Sequence, residues 1–506
     1  MEAISSLMAG FAIALTPANL LYALAGVVVG NLIGVLPGIG PLATISMLLP
    51  ITFGLEPTGA LIMLAGIYYG AQYGGATTSI LLNIPGVASH AVTCLDGHPM
   101  AKQGRAGVAI FTSMICSFIG ASIGIMIMIF FSPLMVETAL SFGPADYFAM
   151  MALGLIAAST LAQGSALKSI AMVVAGLLVG LVGTDVQTGM QRFTGNIPNL
   201  FDGVGIVVIA TGLFGIADAL NNANRPQGEL MLKERSIKIR NMLPTLNEAK
   251  RSIMPVFRGT GIGAVLGILP GTGATIASFM SYALEKRVSR TPERFGKGTI
   301  EGIASPEASN NAAAQTAFIP TLTLGIPGDA VMALMLGALI IFGIQPGPRF
   351  PAEHPDMFWS LIASFWIGNA LLLLINIPLI GLWTRLLLVP YRVLYPAILF
   401  FICIGVYSIN NALFDVGMAM IFGLIGYAMM KLGFEPAPFL LGYVLGPLME
   451  EHLRRAMLLS RGDAMVFFER PISATLLSIA IALLIWTVYS GLRPRRRPAI
   501  ETIVER

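Results

Sequence analysis

Long apolar stretches with almost no charged side chains recur along the chain and restrict what it can fold into. The uncharged runs Val108–Phe131 and Phe358–Leu382 are 24 and 25 residues long. About 20 apolar residues in a helix span the hydrocarbon core of a bilayer. Only 11% of the 506 residues are charged and the mean hydropathy is +0.80, which excludes a water-soluble domain. Because backbone in lipid must satisfy its own hydrogen bonds, we predict an all-α integral membrane protein.

Seven stretches are continuous enough to form plain helices. They are Val108–Phe131, Tyr147–Leu161, Ile170–Val182, Val204–Leu220, Phe358–Leu382, Ala412–Met430 and Ile472–Tyr489. Other apolar segments are interrupted by Pro and Gly. With these included, we expect about ten to twelve transmembrane or re-entrant helical segments.

Basic residues are concentrated in loops. Asn221–Arg258 contains eight Lys or Arg residues, Glu285–Lys297 contains five, and the tail after Gly491 reads "RPRRRP". Because short loops rich in Lys and Arg face the cytoplasm, we expect the central loop and the C-terminus on that side. Basic clusters can also bind nucleic acid. Beside apolar spans they indicate solvated loops at the membrane surface, and we expect no nucleic-acid partner.

Two seven-residue motifs place helix breakers inside apolar sequence. "GVLPGIG" occupies Gly34–Gly40 and "GILPGTG" occupies Gly267–Gly273. A second pair follows in the same order, with "TTSILLNIPG" at Thr77–Gly86 and "TLTLGIPG" at Thr321–Gly328. Broken hydrophobic segments at corresponding places in two halves indicate the binding site of a secondary transporter. Gly and Pro are also common in ordinary membrane helices, but their ordered recurrence favours an internal repeat.

The flanking charges predict that the repeats are inverted. Gly259–Leu284 has a basic loop on each side, so it should enter and leave the membrane on the cytoplasmic side as a re-entrant hairpin. The segment from Ala18 to Pro50 lacks basic flanks, and its hairpin can open to the other side. We expect the two tips to meet near the membrane midplane. The expected organisation is a first repeat at 1–220, a basic linker at 221–258, a second repeat with extra helices at 259–490, and a basic tail at 491–506.

Polar residues and helix breaks inside these segments are the predicted binding groups, because free half-helix ends, hydroxyls and amides suit a carboxylate and a dehydrated cation. The predicted substrate-binding residues are Gly38, Gly40, Thr44, Thr77, Thr78, Ser79, Asn83, Gly271, Gly273, Thr275, Asn310, Asn311 and Thr323. The predicted coupling-ion residues are Pro37, Pro270, Glu307, Ser309, Asn310 and Asp329, with Na⁺ at the hairpin tips. The alternative is that these side chains only bond across closely packed helices.

The charge of a bound anion has no basic partner in the motif segments. No Lys or Arg lies inside them, so helix N-termini, polar donors and a co-bound Na⁺ or H⁺ would balance the anion. We expect no other cofactor. Glu307 is ambiguous: Ser305, Pro306 and Glu307 also resemble a helix start, with an N-cap, a Pro at N1 and an acid in the first turn. An ionisable group at membrane depth is by default a functional candidate, and Asp329 has the same ambiguity.

Other function classes lack supporting residues. The four His residues have no metal-ligand spacing, and no Gly-rich loop ending in Gly-Lys-Ser or Gly-Lys-Thr is present, so ATP hydrolysis is unsupported. A passive channel also lines its path with broken helices and remains an alternative. An intramembrane enzyme is a weaker one, because no paired nucleophile and base are evident.

Several long motifs together resemble one family. "YGGATTSILLNIPGVASHAVTCLDGHPMAKQGRAGVA", "GIASPEASNNAAAQTAFIPTLTLGIPGDAVMALMLGALIIFGIQPGP" and "PAPFLLGYVLGPLMEEHLRRAMLLSRGD" resemble the large membrane subunit of the tripartite tricarboxylate transporters. The resemblance implies a bacterial inner-membrane importer of tricarboxylates, dicarboxylates or aromatic carboxylates that uses an ion gradient. It also implies a small four-helix membrane subunit and a periplasmic substrate-binding protein as partners, in contact with membrane lipid. A homodimer of the membrane complex stays open, and an elevator movement is expected by analogy.

Overall fold

A computed structural model of the protein describes residues 2–36, 40–161, 165–185, 187–222, 242–269, 271–386 and 391–492. It is 81% helical with almost no sheet, which confirms the all-α membrane fold. The strands β1 (Gly183–Thr184) and β2 (Gln191–Arg192) form one short antiparallel pair, with Gly183 opposite Arg192. Pro37, Gly38 and Pro270, three predicted site residues, lie outside the described residues.

The α-helices follow one another along the chain. They are α1 (Glu2–Ala14), α2 (Pro17–Val35), α3 (Pro41–Thr52), α4 (Pro57–Leu82), α5 (Ala91–Met100), α6 (Ala106–Leu140), α7 (Pro144–Leu161), α8 (Ala166–Gly180), α9 (Ile206–Ala210), α10 (Ala217–Asn222), α11 (Leu246–Ile268), α12 (Gly273–Val288), α13 (Glu301–Thr316), α14 (Phe318–Leu324), α15 (Ala330–Ile341), α16 (Phe350–Glu353), α17 (Pro355–Asn376), α18 (Ile380–Leu386), α19 (Tyr391–Asn410), α20 (Leu413–Lys431), α21 (Pro436–Leu459), α22 (Val466–Glu469) and α23 (Pro471–Leu492).

Tighter and wider helical turns connect some of these helices. Single 3₁₀ turns lie at Ala88–His90, Pro198–Leu200 and Pro292–Arg294, and π-helical turns lie at Ala101–Arg105 and Thr211–Ile216. The second π turn joins α9 to α10. Each of the seven stretches expected to be plain helices is helical over most of its length, although Phe358–Leu382 is interrupted by a turn between α17 and α18.

Five helical segments in the described part of the chain are long and apolar enough to cross a membrane. They are Pro17–Val35, Ala88–Leu140, Pro355–Asn376, Leu413–Lys431 and Pro471–Tyr489. Shorter apolar helices include α3, α8 and α15, which are too short to span a core of about 30 Å. The larger total of ten to twelve segments therefore stays a prediction.

The chain divides into two compact units. One comprises Met1–Ser141 and Val182–Ala428, and the other comprises Phe142–Leu181 and Met429–Arg506. The first unit contains both pairs of breaker motifs. In the second unit, α8 packs closely on α21, where a Cβ on Gly176 would lie 2.0 Å from the Phe439 carbonyl oxygen.

Glycine ridges bring the helices of the first half together. Gly26, Gly30 and Gly34 of α2 face the backbone of α4, and a Cβ on any of them would lie 2.2–2.5 Å from a carbonyl oxygen of α4. Such close approach is possible only without a side chain, and it replaces apolar burial as the source of helix association in lipid. The result is that α2 lies along α4 with its C-terminal end near Ala71.

The second half repeats this contact. Gly259, Gly263 and Gly267 of α11 face the backbone of α13, where added Cβ atoms would lie 2.0–2.4 Å from the carbonyl oxygens of Ser305, Ser309 and Ala313. Gly34 and Gly267 occupy the same place in "GVLPG" and "GILPG". Ala71 and Ala313, the residues they contact, each lie fifteen positions before the glycine of an Ile-Pro-Gly sequence, Gly86 in the first half and Gly328 in the second. The sequence repeat is therefore also a repeat of packing.

The second hairpin is closed along its length. The guanidinium of Arg258 on α11 donates to both carboxylate oxygens of Glu285 on α12, at 2.9 and 2.7 Å. Both residues lie thirteen or fourteen positions from the turn at Gly271 and Thr272, so the two helices run side by side in opposite directions. The apolar part of α11, from Gly259 to Ile268, is about 15 Å long, which is half of a hydrocarbon core. This length fits the predicted re-entrant segment.

The first hairpin has a different packing. Helix α3 makes few contacts with α2 and packs instead on α4, α15, α19 and the Thr211–Ile216 turn. The charged insertion after Leu284 has no equivalent in the first half, and neither has the ion pair that closes the second hairpin. The two halves therefore share the helix order and the glycine contacts but differ in how the short third helix is held.

Candidate functional site

The first break, at Asn83–Gly86, directly follows α4 and lies beside the C-terminal end of α2. Asn83 follows the last turn of α4 with φ +57°, in the left-handed region that Asn tolerates better than most residues. The chain then continues through Ile84, Pro85 and Gly86. A Cβ on Gly86 would lie 2.5 Å from the Gly75 Cα and 2.8 Å from the Gly34 carbonyl oxygen. The break is thus pressed against both α4 and the end of α2.

Thr78 fixes this arrangement. Its Oγ1 donates to the carbonyl oxygen of Val35, the last residue of α2, at 2.5 Å. The last carbonyls of a helix lack partners within the helix, so this bond satisfies one of them inside the protein. Thr78, a predicted substrate-binding residue, therefore bonds α4, the helix that ends at the first break, to α2 of the first hairpin.

The second break repeats the geometry of the first. Helix α14 ends at Leu324 and is followed by Gly325, with φ +71°, after which the chain continues through Ile326, Pro327 and Gly328. The Gly271 N–H donates to the Gly328 carbonyl oxygen at 2.7 Å. The tip of the second hairpin is therefore bonded directly to the second break. Gly271 was predicted to bind substrate, but its N–H is engaged in this bond.

Thr272 and Asp329 cap the helices at this tip. The Thr272 hydroxyl donates to the carbonyl oxygens of Leu266 and Leu269, at the end of α11. The Asp329 carboxylate accepts from the Met332 N–H at 2.9 Å and forms the N-cap of α15. A Cβ on Gly273 would lie 3.6 Å from Asp329 Oδ2, so this carboxylate also faces the start of α12. Asp329 thus has a structural role, and its role in ion binding stays a prediction.

Glu307 lies in the middle of α13 and is fully buried. The Thr93 hydroxyl of α5 donates to its Oε1, and the Ser117 hydroxyl of α6 donates to its Oε2 at 3.2 Å. The His90 Nε2 lies 3.7 Å from the same Oε2. Three elements of the first half therefore converge on a carboxylate of the second half.

The alternative that Glu307 only starts a helix is wrong. Helix α13 begins at Glu301, so Ser305 is not an N-cap and Pro306 lies inside the helix. An internal Pro removes one hydrogen bond, which neighbouring helices can compensate in a membrane protein. The Ser305 hydroxyl instead points to the Ser281 carbonyl oxygen of α12, at 3.5 Å.

His90 links Glu307 to the first break. It lies four residues after Gly86, and its ring covers Gly75, where a Cβ would lie 2.9 Å from Nδ1. Next to it, Ser89 accepts at its carbonyl oxygen a 2.6 Å bond from the Ser278 hydroxyl of α12. The segment after the first break therefore packs against the second hairpin. Conversely, α15, the helix that follows the second break, packs against α3 of the first hairpin.

Several predicted binding hydroxyls bond to their own helix. Thr44 donates to the Gly40 carbonyl at 2.9 Å, Ser79 to that of Gly75 at 2.8 Å, and Thr323 to that of Ile319 at 2.7 Å. Each oxygen keeps capacity to accept a further bond. Thr77 is also buried, whereas Gly40, Gly273 and Thr275 are half-buried and Asn83 is exposed.

The amides on α13 are less completely paired. Asn311 Nδ2 donates to Asn310 Oδ1 at 2.6 Å and to the Glu307 carbonyl at 3.0 Å. Asn310 Nδ2 has no hydrogen-bond partner in the described structure, although the side chain is fully buried. Ser309, a predicted ion ligand, donates to the Ala277 carbonyl of α12 at 3.0 Å. A buried donor without a partner is unfavourable and marks a position where a ligand can bind.

Two features of the site were missed from the sequence. The four His residues have no metal-ligand spacing in the sequence, which gives no reason to select His90, although the fold places it beside Glu307. Asp96 of α5 was also missed: its buried carboxylate accepts from the N–H groups of Gly296, Gly298 and Thr299 at 2.8–3.0 Å and from the Tyr282 hydroxyl at 2.9 Å. Asp96 thereby fixes the loop that precedes α13. The sequence signal that could have identified Asp96 was the segment "DGHP", Asp96–Pro99, inside the long motif that begins with "YGGATTS".

Basic residues near this loop form ion pairs with carboxylates. Arg105 pairs with Glu248, and Arg251 donates to Glu301 at 2.7 Å. Among the described residues, no group of three or more His, Cys, Asp and Glu side chains forms a metal site. The polar groups described near the breaks are instead hydroxyls, amides, the carboxylates of Glu307 and Asp329, and the imidazole of His90. This chemistry suits a carboxylate ligand and a monovalent cation better than a transition metal.

Comparison with known proteins identifies the family. A profile of the tripartite tricarboxylate transporter TctA family matches residues 20–441. An uncharacterized 52.8 kDa protein in the TAR-I ttuC' 3'region of Agrobacterium vitis is 50% identical over 497 residues, 98% of each chain. An uncharacterized protein in the TAR-II ttuC' 3'region of the same organism is 56% identical over 234 residues, 46% of this chain and 97% of that protein. No solved structure gives a significant match. The chain belongs to the tripartite tricarboxylate transporter TctA family and is a subunit of such a transporter.

Proposed function

We propose that the protein is the subunit that moves a carboxylate across the bacterial inner membrane, coupled to Na⁺ or H⁺. One observation carries this proposal: two matching breaks, one in each half, are packed against hairpin ends in the same way, and Glu307 of the second half meets the segment that follows the first break. Broken helices at the interface of two repeats are where secondary transporters bind substrate and coupling ion.

The substrate groups follow from the chemistry of the breaks. The N-terminal ends of α3 and α12 follow the two hairpin turns, and helix N-termini favour anions. The hydroxyls near the breaks, Thr44, Thr77 and Thr323, and the unpaired amide of Asn310 supply further polar contacts. Since no basic residue is present in the motif segments, a co-transported cation would balance the anion.

The charge distribution supports inverted repeats. The closed hairpin of α11 and α12 has basic residues at both ends, and the hairpin of α2 and α3 has none. The first would open to the cytoplasm and the second to the periplasm. Both hairpins belong to one compact unit, and this would allow the site-bearing unit to move as an elevator. A small four-helix membrane subunit and a periplasmic binding protein would complete the transporter.

Uptake into proteoliposomes tests the proposal. The chain is reconstituted with its small partner subunit, purified binding protein is added outside, and labelled tricarboxylates, dicarboxylates and aromatic carboxylates are offered with and without Na⁺ or a pH gradient. We expect accumulation of at least one carboxylate above its equilibrium level, dependent on one ion gradient. Uptake that only equilibrates the substrate, with no ion dependence, would instead identify a passive channel. Chemical conversion of the substrate would identify an enzyme.

A further inference from the structure

The least explained group near the breaks is the imidazole of His90. The side chain is fully buried, and neither ring nitrogen has a hydrogen-bond partner within the described residues. Its Nε2 faces Glu307 Oε2 at 3.7 Å, just beyond hydrogen-bond distance. Burying both nitrogens without partners is unfavourable. A functional role for the ring would explain why this arrangement is kept. The small residue Gly75 leaves the space that the ring occupies.

Among the described residues, Glu307 has no permanent cationic partner. The titratable side chains that interact with it are His90, Tyr73 of α4, Cys94 of α5 and Cys116 of α6. On the other elements packed against α13, Arg258 of α11 binds Glu285 of α12, and α14 has no titratable residue. No Lys or Arg of the described chain pairs with Glu307. An isolated carboxylate charge in such a place is strongly unfavourable, so a cation must neutralise it for part of the time.

We propose that Glu307 and His90 together form a proton-binding site, and that the coupling ion is H⁺ rather than Na⁺. One proton neutralises the pair, either as a carboxylic acid beside a neutral imidazole or as a carboxylate beside an imidazolium. When the proton leaves, the carboxylate keeps two hydroxyl donors, Thr93 and Ser117, which stabilise its charge. Both protonation states are therefore supported. This inference rests on the proposed transport function and specifies its coupling ion.

The ligand types favour a proton over sodium. Hard cations take a shell of about six or more oxygens, whereas the hydrogen bonds of the described residues bring four oxygens together here, two from the carboxylate and two from hydroxyls. The hydroxyls direct their hydrogens at the carboxylate, and the imidazole occupies another side of it. An imidazole exchanges protons near neutral pH, which suits a site that must load and release them.

The position of the pair couples it to the first break. His90 follows Gly86 by four residues, Thr93 lies on the next helix, and Glu307 lies on the helix held by the second hairpin. Protonation changes the attraction between the segment 88–93 and α13. A ligand or proton shifts a conformational equilibrium only through such a difference in binding between states.

Infrared spectroscopy of the purified full chain with its partner subunits in lipid nanodiscs tests the site. The absorption of protonated carboxyl groups is followed over a pH titration, once in choline chloride and once in NaCl. We expect a buried carboxyl band that is lost in Glu307→Gln, and that NaCl does not change. Retention of the band in Glu307→Gln, its absence from the unmodified protein, or its suppression by Na⁺ at constant pH would each overturn the proposal.

Two variants make the assignment specific. Asp218→Asn, a carboxyl-to-amide change on α10 away from the site, should retain the Glu307 band. His90→Gln should keep the band but move its midpoint to a different pH, because the carboxyl then holds the proton alone. If Glu307→Gln fails to fold, as judged by size-exclusion chromatography, the pH midpoint of the carboxyl band in His90→Gln provides the test. An unchanged midpoint in His90→Gln would show that the two groups share no proton.

Transport measurements separate this inference from the proposed function. Counterflow of a labelled carboxylate in proteoliposomes requires transport but no ion gradient. Its absence for every carboxylate tested would overturn the proposed function, while the infrared titration would still decide the proton site. If counterflow occurs, we expect a pH gradient to drive accumulation and His90→Gln to reduce that accumulation at least tenfold. Accumulation driven by a Na⁺ gradient and indifferent to pH would overturn the proton site alone.

Discussion

At the scale of single residues, two buried carboxylates of the same unit are held in contrasting ways. Asp96 accepts four hydrogen bonds, three from backbone N–H groups. Glu307 accepts two from hydroxyls and faces an imidazole that has no hydrogen-bond partner among the described residues. A carboxylate that accepts several backbone N–H bonds holds the segment that carries them in place and is structural. A carboxylate with few donors and a titratable neighbour is suited to exchange a cation.

Asp96→Asn should therefore destabilise the protein. The amide has only one acceptor oxygen, and its NH₂ group would face backbone N–H groups or the Tyr282 hydroxyl. We expect the free energy of unfolding to fall by about 1.5–3 kcal/mol, the size of hydrogen bonds to a charged group. The measurement is denaturant unfolding in mixed micelles. Asp202→Asn, at an exposed position, is the control and should change little. Equal stability of the two variants would show that Asp96 does not fix the loop before α13.

Sequence patterns predicted single residues unevenly. The capping pattern at Ser305 and Pro306 was misleading because it describes helix starts in water, whereas α13 is buried and its neighbours tolerate an internal Pro. His90 could not be paired with Glu307 from the sequence, since 217 positions separate them and only the packing of the two halves brings them together. Asp329 was ambiguous, and the structure adds its role as an N-cap.

At the scale of helices, glycine spacing explains which helices meet. The four-residue spacing of Gly26, Gly30 and Gly34 is repeated by Gly259, Gly263 and Gly267. The first set faces α4, which ends at the first break, and the second set faces α13, which is followed by α14 and the second break. Carbonyl oxygens occupy the space that a side chain would need. Helix association in lipid relies on such close contacts, because apolar burial gives little net gain there.

Gly263→Ala should weaken the packing of α11 on α13. The new Cβ would lie 2.0 Å from the Ser309 carbonyl oxygen, a backbone atom that cannot move alone. We expect a loss of about 1–3 kcal/mol in the free energy of unfolding, the usual cost of overpacking. Gly261→Ala, two residues away with no atom within 4 Å, is the matched control. It should stay within about 1 kcal/mol of the unmodified protein or be slightly more stable. A larger loss for Gly261→Ala would refute this account of the contact.

The sequence predicted the helices better than their contacts. The positions of the plain helices and of both turns followed from apolar length and from Pro and Gly, which act locally. The closed second hairpin could be anticipated from its charged ends. The looser packing of α3 could not, because it depends on α15, α19 and the Thr211–Ile216 turn, which are distant in the chain.

At the scale of the whole molecule, the proposed function depends on the two halves having opposite orientations. The repeat in packing is present in the described structure, but orientation in the membrane rests on the distribution of Lys and Arg. In an inverted pair, each hairpin gives access from one side only. The closed α11–α12 hairpin would then serve the cytoplasmic side.

Cysteine labelling tests this orientation. In a variant without the three native cysteines, Gly54→Cys lies after α3 at an exposed position, and Lys286→Cys lies near the end of α12 at another. With a membrane-impermeant thiol reagent, we expect the first to react from the periplasm and the second from the cytoplasm. Intact cells and inverted vesicles give the two directions, and a denatured sample gives the total. Labelling of both from one face would rule out inverted repeats.

The family and the membrane class could be inferred from the sequence because several long motifs occur in order, and the profile match confirms the family. The identity of the carboxylate could not be predicted, because hydroxyls and amides near the breaks recognise carboxylates in general. Three of the predicted site residues, Pro37, Gly38 and Pro270, fall outside the described residues.

The central claim is that one break from each half contributes to a single carboxylate site. The most direct measurement is an electron cryomicroscopy structure of the protein with its partner subunits and the carboxylate that the uptake assay selects. We predict ligand density in contact with residues around the first break, at Asn83–Gly86, and around the second, at Thr323–Gly328. Ligand bound by residues of one half only, or density on a lipid-facing surface away from both breaks, would contradict the account.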